Sequence, residues 1–138
     1  MDITMGIART SMEILHSEFY FYLIAWLAEG SRDFPTVFRV DRIEDIRETG
    51  EKFSIPYSER FSDGEFRKRV QFMYPGKLQK VTFRFKGDSI EAVLDRLPTA
   101  KILDESDGTC TVTAEAYGRG IDMWLKSQGD FVTDVQKR

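Results

Sequence analysis

Two arginines near the end of a predicted strand are the side chains best suited to bind an anion. Arg39 and Arg42 lie on either side of Asp41, and Tyr22 lies on the preceding predicted strand. A guanidinium presents five N–H donors in a planar fork that fits phosphate or carboxylate. A nearby aromatic ring adds a surface on which a nucleobase can stack. These residue types predict a site for an anionic ligand such as a nucleotide.

The same residues also allow a purely structural interpretation. Asp41 would pair with one arginine, and Tyr22 would belong to the hydrophobic core. In an ideal strand Arg39 and Asp41 share a face while Arg42 points the other way, so the arginines converge only if the strand bends or ends there. The residues alone leave both interpretations open. The binding hypothesis names Tyr22, Arg39, Asp41 and Arg42.

A second candidate is a basic stripe between Phe66 and Gly87 that contains no acidic residue. The cations on which a nucleic-acid hypothesis rests are Arg67, Lys68, Arg69, Lys77 and Lys80, followed by Arg84 and Lys86. The aromatic residues between them are Phe66, Phe72, Tyr74, Phe83 and Phe85. Nucleic-acid backbones and bases favour such a mixture. The alternative is a solvated charged face, with Phe83 and Phe85 in the core.

Catalytic and metal-binding patterns are missing from the sequence. It has one histidine, His16, and one cysteine, Cys110, which cannot build an ordinary His/Cys zinc site or an internal disulfide. Cys110 lies on the apolar face of its predicted strand, so we expect an inert core thiol. The glycines of Gly118-Arg-Gly120 match neither a P-loop nor a dinucleotide fingerprint. We expect no enzyme, no cofactor and no metal.

Composition narrows the class of protein further. The 138 residues include 20 basic and 23 acidic side chains, for a net charge of -3, which excludes a globally basic nucleic-acid binder but not a local basic patch. The longest apolar run, Phe19 to Leu27, is about half the length needed to cross a bilayer. Met1 to Ile14 lacks the pattern of a signal peptide. We expect a cytoplasmic protein that does not associate with membranes.

The first part of the chain predicts a β domain over residues 1–60. Phe19 to Trp26 is rich in aromatic and β-forming residues and predicts a strand buried on both faces. Glu29 to Asp33 supplies a turn, and Val37 to Ile43 predicts an antiparallel partner strand. The polar segment from Tyr57 to Gly64 marks the boundary.

The second part predicts a helical linker over residues 61–78 and a β-α-β-β-α-β unit over residues 79–138. A helix runs from Asp63 to Phe72 and ends at Tyr74-Pro-Gly76. The predicted elements that follow are the strand Val81–Phe85, the helix Ser89–Leu97, the strand Lys101–Leu103, the turn Ser106-Asp-Gly108, a strand with Cys110, Val112, Ala114 and Ala116 on one face, a helix around Ile121, Trp124 and Leu125, and the strand Phe131–Val135. This order is typical of a ferredoxin-like sandwich and predicts an α+β protein.

Several short sequences resemble those of WYL domains. Phe21-Tyr-Leu-Ile-Ala25 resembles the Trp-Tyr-Leu signature, with Phe in place of Trp, and Phe38-Arg-Val-Asp-Arg-Ile43 resembles the aromatic-Arg-x-Asp-Arg strand. Further matches to the C-terminal extension of this family are Met73–Gly76, Val81–Phe85, Val93–Leu97 and Trp124–Asp130. The resemblance covers roughly residues 8–135, and the order and spacing of these short sequences make it specific.

The resemblance implies an Sm-like or SH3-like β-barrel followed by the ferredoxin-like extension. Members of the family are mostly bacterial transcriptional regulators with an N-terminal winged-helix DNA-binding domain, which the barrel controls by binding a ligand such as a nucleotide or single-stranded nucleic acid. The resemblance therefore implies the ligand-sensing and oligomerisation region of a regulator, in a homodimer. The alternative is a structural dimerisation module without a ligand of its own.

The sequence departs from the family pattern in three ways. It has no helix-turn-helix segment, and the first barrel strand has no counterpart in Met1 to Ser11. We therefore expect either a piece of a longer protein or a partial barrel that another chain completes. Thr36 replaces an arginine often found just before the aromatic-Arg-x-Asp-Arg strand.

Overall fold

The computed structural model describes residues 13–26, 34–47, 50, 52 and 62–138. Its contacts divide the chain into two compact units, Met1–Asp63 and Gly64–Arg138. The described residues contain a three-stranded sheet, a four-stranded sheet and three α-helices, and every pair of neighbouring strands is antiparallel. The α+β class predicted from the sequence is therefore confirmed.

The first unit contains a three-stranded antiparallel meander. Its strands are β1 (Glu13–Ser17), β2 (Tyr20–Ala25) and β3 (Thr36–Arg39), in the order β1-β2-β3. Strand β1 was not predicted, because its apolar residues Ile14 and Leu15 are adjacent and show no alternation. Opposite residues of paired strands share a face, so the buried Leu15 of β1 lies beside Tyr22 of β2.

The prediction that Phe19 to Trp26 is buried on both faces was wrong. Phe19 is 88% exposed and Phe21 is 57% exposed, whereas Ile24 and Ala25 are buried. Phe19 follows Glu18, whose positive φ of 54° turns the chain between β1 and β2. The aromatic run therefore forms an exposed turn and an outer strand end before it enters the core.

The predicted strand from Val37 to Ile43 was too long. β3 ends at Arg39, and a 3-10 turn over Val40–Arg42 follows, closed by an Ile43 N–H that donates to the Val40 carbonyl at 3.2 Å. In this turn the guanidinium of Arg39 donates two hydrogen bonds to the side chain of Asp41. β3 thus ends directly after Arg39, and such an end was the condition for the side chains of the two arginines to converge.

Three predictions fall outside the described residues. They concern the absence of a strand in Met1 to Ser11, the turn at Glu29 to Asp33, and the part of the boundary segment at residues 57–61.

The second unit follows the predicted order of elements. They are α1 (Asp63–Arg69), β4 (Leu78–Phe85), α2 (Ile90–Arg96), β5 (Lys101–Ser106), β6 (Thr109–Tyr117), α3 (Gly118–Ser127) and β7 (Val132–Lys137). The sheet order is β5-β6-β4-β7. Asp107 and Gly108 have positive φ and join β5 to β6, as the Ser106-Asp-Gly108 turn predicted.

The core of the second unit lies between one face of the sheet and the helices α2 and α3. The alternating residues of β4 and β6 that line this face are Val81, Phe83, Phe85, Val112, Ala114 and Ala116, all buried. Val93 and Leu97 cover them from the α2 side, and Trp124 of α3 meets the ring of Phe83 at a centroid distance of 6.0 Å. The predicted alternation of these strands is confirmed.

Helix α1 is shorter than predicted. It ends at Arg69, because Phe72 and Met73 have φ values of 53° and 55°, which a right-handed helix cannot contain. Residues 71–74 form a tight turn, in which the Tyr74 N–H donates to the Gln71 carbonyl at 3.1 Å. Positive φ at both central residues is the pattern of a type I′ turn. We call residues 71–74 the aromatic turn.

Candidate functional site

The predicted anion site lies at the end of β3 in the first unit. Tyr22 and Arg39 are register partners across β2 and β3, so their side chains lie on the same face. Tyr20, two residues before Tyr22 on β2, shares that face. Its ring meets the Tyr22 ring edge-on at a centroid distance of 6.4 Å. The sheet therefore brings Arg39 beside two tyrosines.

The guanidinium of Arg39 makes two kinds of contact. Its Nε donates to Asp41 Oδ1 at 3.0 Å, and its Nη2 donates to Asp41 Oδ2 at 2.6 Å. Its Cζ lies 3.5 Å from the centre of the Tyr20 ring. The bidentate hydrogen bond to Arg39 lowers the pKa of Asp41 and raises the pKa of Arg39. A carboxylate of the chain thus occupies the fork that was predicted to bind a ligand.

Arg42 lies in the 3-10 turn directly after Asp41. It is exposed, and its charge adds to the lowering of the pKa of Asp41, after the stronger effects of Arg39. Both arginines therefore act on the same carboxylate. The ligand role of Tyr22, Arg39, Asp41 and Arg42 stays a prediction.

Sequence reasoning missed Tyr20 as a member of this site. The ring that Arg39 contacts is that of Tyr20, whereas the sequence analysis selected Tyr22 of the same strand. The signal that could have found it is the spacing of two residues between Tyr20 and Tyr22, which places both rings on one face of a strand.

The predicted basic stripe does not form one free cationic surface. Arg69 bonds to Glu65 Oε2 at 2.6 Å and to Glu115 Oε2 at 3.2 Å, and Lys68 bonds to Glu65 Oε1 at 3.2 Å. The carboxylates raise the pKa of Arg69, with Glu65 as the largest cause. The other predicted cations, Arg67, Lys77 and Lys80, are exposed. The sequence alone could not show the pairing with Glu115, because this acidic residue is distant in sequence from the stripe.

The aromatic residues of the stripe divide into two groups. Phe66, Phe83 and Phe85 are buried and belong to the packing of the second unit. Phe72 and Tyr74 are 43% and 39% exposed on the aromatic turn. The core interpretation therefore holds for three of these rings, and two are left at the surface.

His16 and Cys110 belong to different units. The ring of His16 lies 4.9 Å from that of Phe21 in the first unit, while the thiol of Cys110 contacts Glu105 in the second. Cys110 is only partly buried, which corrects the expectation of a fully buried thiol. Burial and then the charge of Glu105 raise its pKa, so the reactive thiolate is disfavoured. Within the described residues, no group of His, Cys, Asp or Glu could hold a metal ion.

A cavity of about 350 Å³ lies beside the turn between β5 and β6. Its lining includes Asp88, Glu105 and Asp107. Three carboxylates repel an anion, so the cavity does not fit the ligand class predicted for this chain.

Comparisons with known proteins give no family. No protein-family model matches the chain, and no curated protein is significantly similar to it. In the described residues, none of the helices has the length and apolar character needed to span a membrane.

Proposed function

We propose that the chain is the ligand-sensing and assembly region of a WYL-type transcriptional regulator. Its first unit binds an anionic ligand, such as a nucleotide or a short single strand of nucleic acid. The observation that supports this most is the contact of Arg39 with both Tyr20 and Asp41. The Asp41 carboxylate occupies the position in which a ligand phosphate would accept the same two hydrogen bonds.

Asp41 is suited to give way to a ligand. Its side chain is 52% exposed, and exposed ion pairs contribute little because water screens them. Arg42 follows immediately and adds a second positive charge to the site. A phosphate would therefore meet two cations at the cost of one weak internal pair. Tyr20, which is 39% exposed, offers a ring against which a base can pack.

The architecture fits the same proposal. The element order β4-α2-β5-β6-α3-β7 and the sheet order β5-β6-β4-β7 support the proposal of a ferredoxin-like sandwich in the second unit. We propose that the meander β1-β2-β3 forms part of an Sm-like or SH3-like barrel. A regulator of this kind acts in the cytoplasm, as a homodimer.

Calorimetric titration of the full chain with mononucleotides tests the ligand proposal. We expect binding that the double substitution Arg39→Gln/Arg42→Gln abolishes. Arg47 forms a similar exposed pair with Asp45, at 2.7 Å, so Arg47→Gln is a matched control that keeps the affinity. Absence of binding to every anion offered, or an equal loss in the control, contradicts the proposal.

One observation favours the alternative of a structural dimerisation module. All six residues of the edge strand β5 are exposed, with Leu103 at 61% and Ile102 at 38%. An exposed apolar edge is a template for pairing with a second chain. Light scattering of the wild type and of Leu103→Lys tests it, together with the ligand titration. A dimer that binds no anion and becomes a monomer on substitution supports this alternative, and a wild-type monomer at micromolar concentration contradicts it.

A further inference from the structure

Two arginines outside the predicted sites lie over the two exposed rings of the aromatic turn. The Cζ of Arg96, the last residue of α2, is 5.0 Å from the ring centre of Phe72. The Cζ of Arg119, near the start of α3, is 5.1 Å from the ring centre of Tyr74. Both arginines are exposed. One tight turn therefore presents two arginine–aromatic pairs, built from three segments of the chain.

The aromatic turn is fixed in place by close packing against α3 and α2. A Cβ at Gly120 would come within 2.1 Å of the Gln71 carbonyl oxygen, so only glycine allows this approach. Gln71 is buried, and its Nε2 donates to the Arg96 carbonyl at 3.3 Å. The Gly118 N–H donates to the Lys77 carbonyl at 3.1 Å. The two ring pairs are thus held on a rigid support.

The backbone conformation of the aromatic turn is unfavourable in free energy for two of the residues in it. Phe72 and Met73 are bulky, yet both have positive φ, a conformation that glycine or asparagine adopts more readily. Strained residues of this kind cluster at binding sites, where the surrounding structure holds them.

The charges around the turn leave its guanidiniums available. Among the residues that the structure describes, neither Arg96 nor Arg119 pairs with a carboxylate. Asp122, one helical turn after Arg119, pairs with Lys137 of β7. The exposed Lys77 adds a further cation close to the turn in sequence. Donors that already face an aromatic ring can therefore still reach a phosphate.

We infer that the aromatic turn, with Arg96 and Arg119, is a binding site for single-stranded nucleic acid. The rings of Phe72 and Tyr74 offer stacking surfaces for two bases, and the guanidiniums contact the phosphates that join them. The two residues are at most about 7 Å apart along the backbone, which suits neighbouring nucleotides. Duplex bases are already stacked and paired, so the site favours an unpaired strand. It does not depend on the Arg39 site of the first unit.

Fluorescence anisotropy with labelled 12-nucleotide strands of DNA and of RNA, and with the matched duplexes, tests this inference on the full chain. We expect single strands to bind more tightly than duplexes, and the two strand types show which source the site prefers. Phe72→Ala/Tyr74→Ala should weaken binding about tenfold or more. Phe131→Ala, which removes a 54% exposed ring elsewhere in the unit, should not. Melting temperatures check that each variant is folded.

Substitutions of the two arginines distinguish a contact that needs the planar guanidinium from simple electrostatic attraction to the phosphates. Arg96→Gln/Arg119→Gln should weaken binding and reduce the slope of log affinity against log salt by about 1.4, as expected for two lost phosphate contacts. Arg96→Lys/Arg119→Lys keeps the slope but loses affinity, since lysine lacks the planar group. The control Lys101→Gln/Lys126→Gln removes two exposed cations outside the basic stripe and should change neither value beyond a general effect of charge.

Four results would overturn the inference. They are no binding of any single strand, equal affinity for duplex, an equal loss in the ring variant and its Phe131→Ala control, or an equal loss in the arginine variant and its Lys101→Gln/Lys126→Gln control. Arg39→Gln/Arg42→Gln is measured in the same assay. Binding that survives in this variant and fails in Phe72→Ala/Tyr74→Ala assigns the strand to the aromatic turn, and the reverse result assigns it to the first unit.

Discussion

Arginine meets an aromatic ring in both units, but the two settings differ in what else the arginine touches. Arg39 lies over Tyr20 and holds Asp41 in a bidentate pair. Arg96 and Arg119 lie over Phe72 and Tyr74 and hold no carboxylate in the described residues. A phosphate at the first proposed site would therefore have to displace an internal anion. A phosphate at the second proposed site would break no ion pair of the described residues.

The positions of the acidic residues explain this difference. Asp41 follows Arg39 by two residues in a turn, a spacing that lets the side chains meet. Asp95 precedes Arg96 directly on a helix, where neighbours in sequence point apart. Asp122 is at a spacing that could reach Arg119, but Lys137 already engages it. Charge counts along the sequence do not reveal which arginines are available.

The largest expected effect comes from Gly120→Ala, which forces the aromatic turn away from α3. The added methyl would overlap the Gln71 carbonyl, so we expect a loss of about 1–3 kcal/mol of stability. Strand binding at the turn should fall as well, while ligand binding at Arg39 persists. Thermal unfolding measures the first effect. Gly64→Ala, whose Cβ meets nothing within 4 Å, is the control and should not destabilise the protein.

A smaller effect of opposite sign is expected from Phe72→Asn/Met73→Gly. Asparagine and glycine suit positive φ, so relief of strain should raise stability by about 1 kcal/mol. The same change removes a stacking ring and should weaken strand binding. Chemical denaturation and anisotropy measure the two effects. A variant that is less stable than the wild type would show that the Phe72 ring contributes more by packing than its backbone costs.

Removal of the internal anion should strengthen the first site. Asp41→Asn leaves the Arg39 fork without its carboxylate, so the affinity for a phosphate ligand should rise by up to about fivefold, the factor that corresponds to breaking one exposed ion pair. Asp45→Asn breaks the neighbouring pair with Arg47 and serves as the control. Calorimetry measures both. Weaker binding in Asp41→Asn would mean that Asp41 orients Arg39 for the ligand.

The smallest effect concerns pH. Arg39 lowers the pKa of Asp41 from its ordinary value of 3.8, so the pair stabilises the folded state above that value and is lost as pH falls through the lower pKa of the folded state. In Arg39→Gln the pKa of Asp41 should rise toward the ordinary value. A carbon-13 NMR titration of the Asp41 carboxyl measures this shift. An unchanged pKa would show that the bidentate pair does not persist in solution.

The sequence predicted well the features that depend on neighbouring residues. The alternation of Val81, Phe83 and Phe85 indicated a strand with one buried face, and Asp107-Gly108 has the composition of a tight hairpin turn. These patterns are local, because strand periodicity and turn chemistry act within a few residues.

The candidate sites were harder to predict for two physical reasons. The pairs of Arg96 with Phe72 and of Arg119 with Tyr74 join residues distant in sequence, so only the fold brings them together. The aromatic turn contains no glycine or asparagine, the residues from which such a turn can be predicted. Its two positive-φ positions are occupied by Phe72 and Met73, which rarely adopt this conformation. In the first unit, Phe21 was predicted to be buried but is exposed, because a high aromatic content does not by itself indicate burial.

The most direct test of the ligand-sensing proposal observes Arg39 itself. Nitrogen-15 NMR of arginine Nε–H groups can follow Arg39, Arg42 and Arg47 while a nucleotide that binds is added to the full chain. We expect the Arg39 and Arg42 signals to shift as the ligand replaces Asp41, while the signal of Arg47 stays in place. Unchanged Arg39 and Arg42 signals at saturating ligand, or equal shifts in all three, would contradict the proposal.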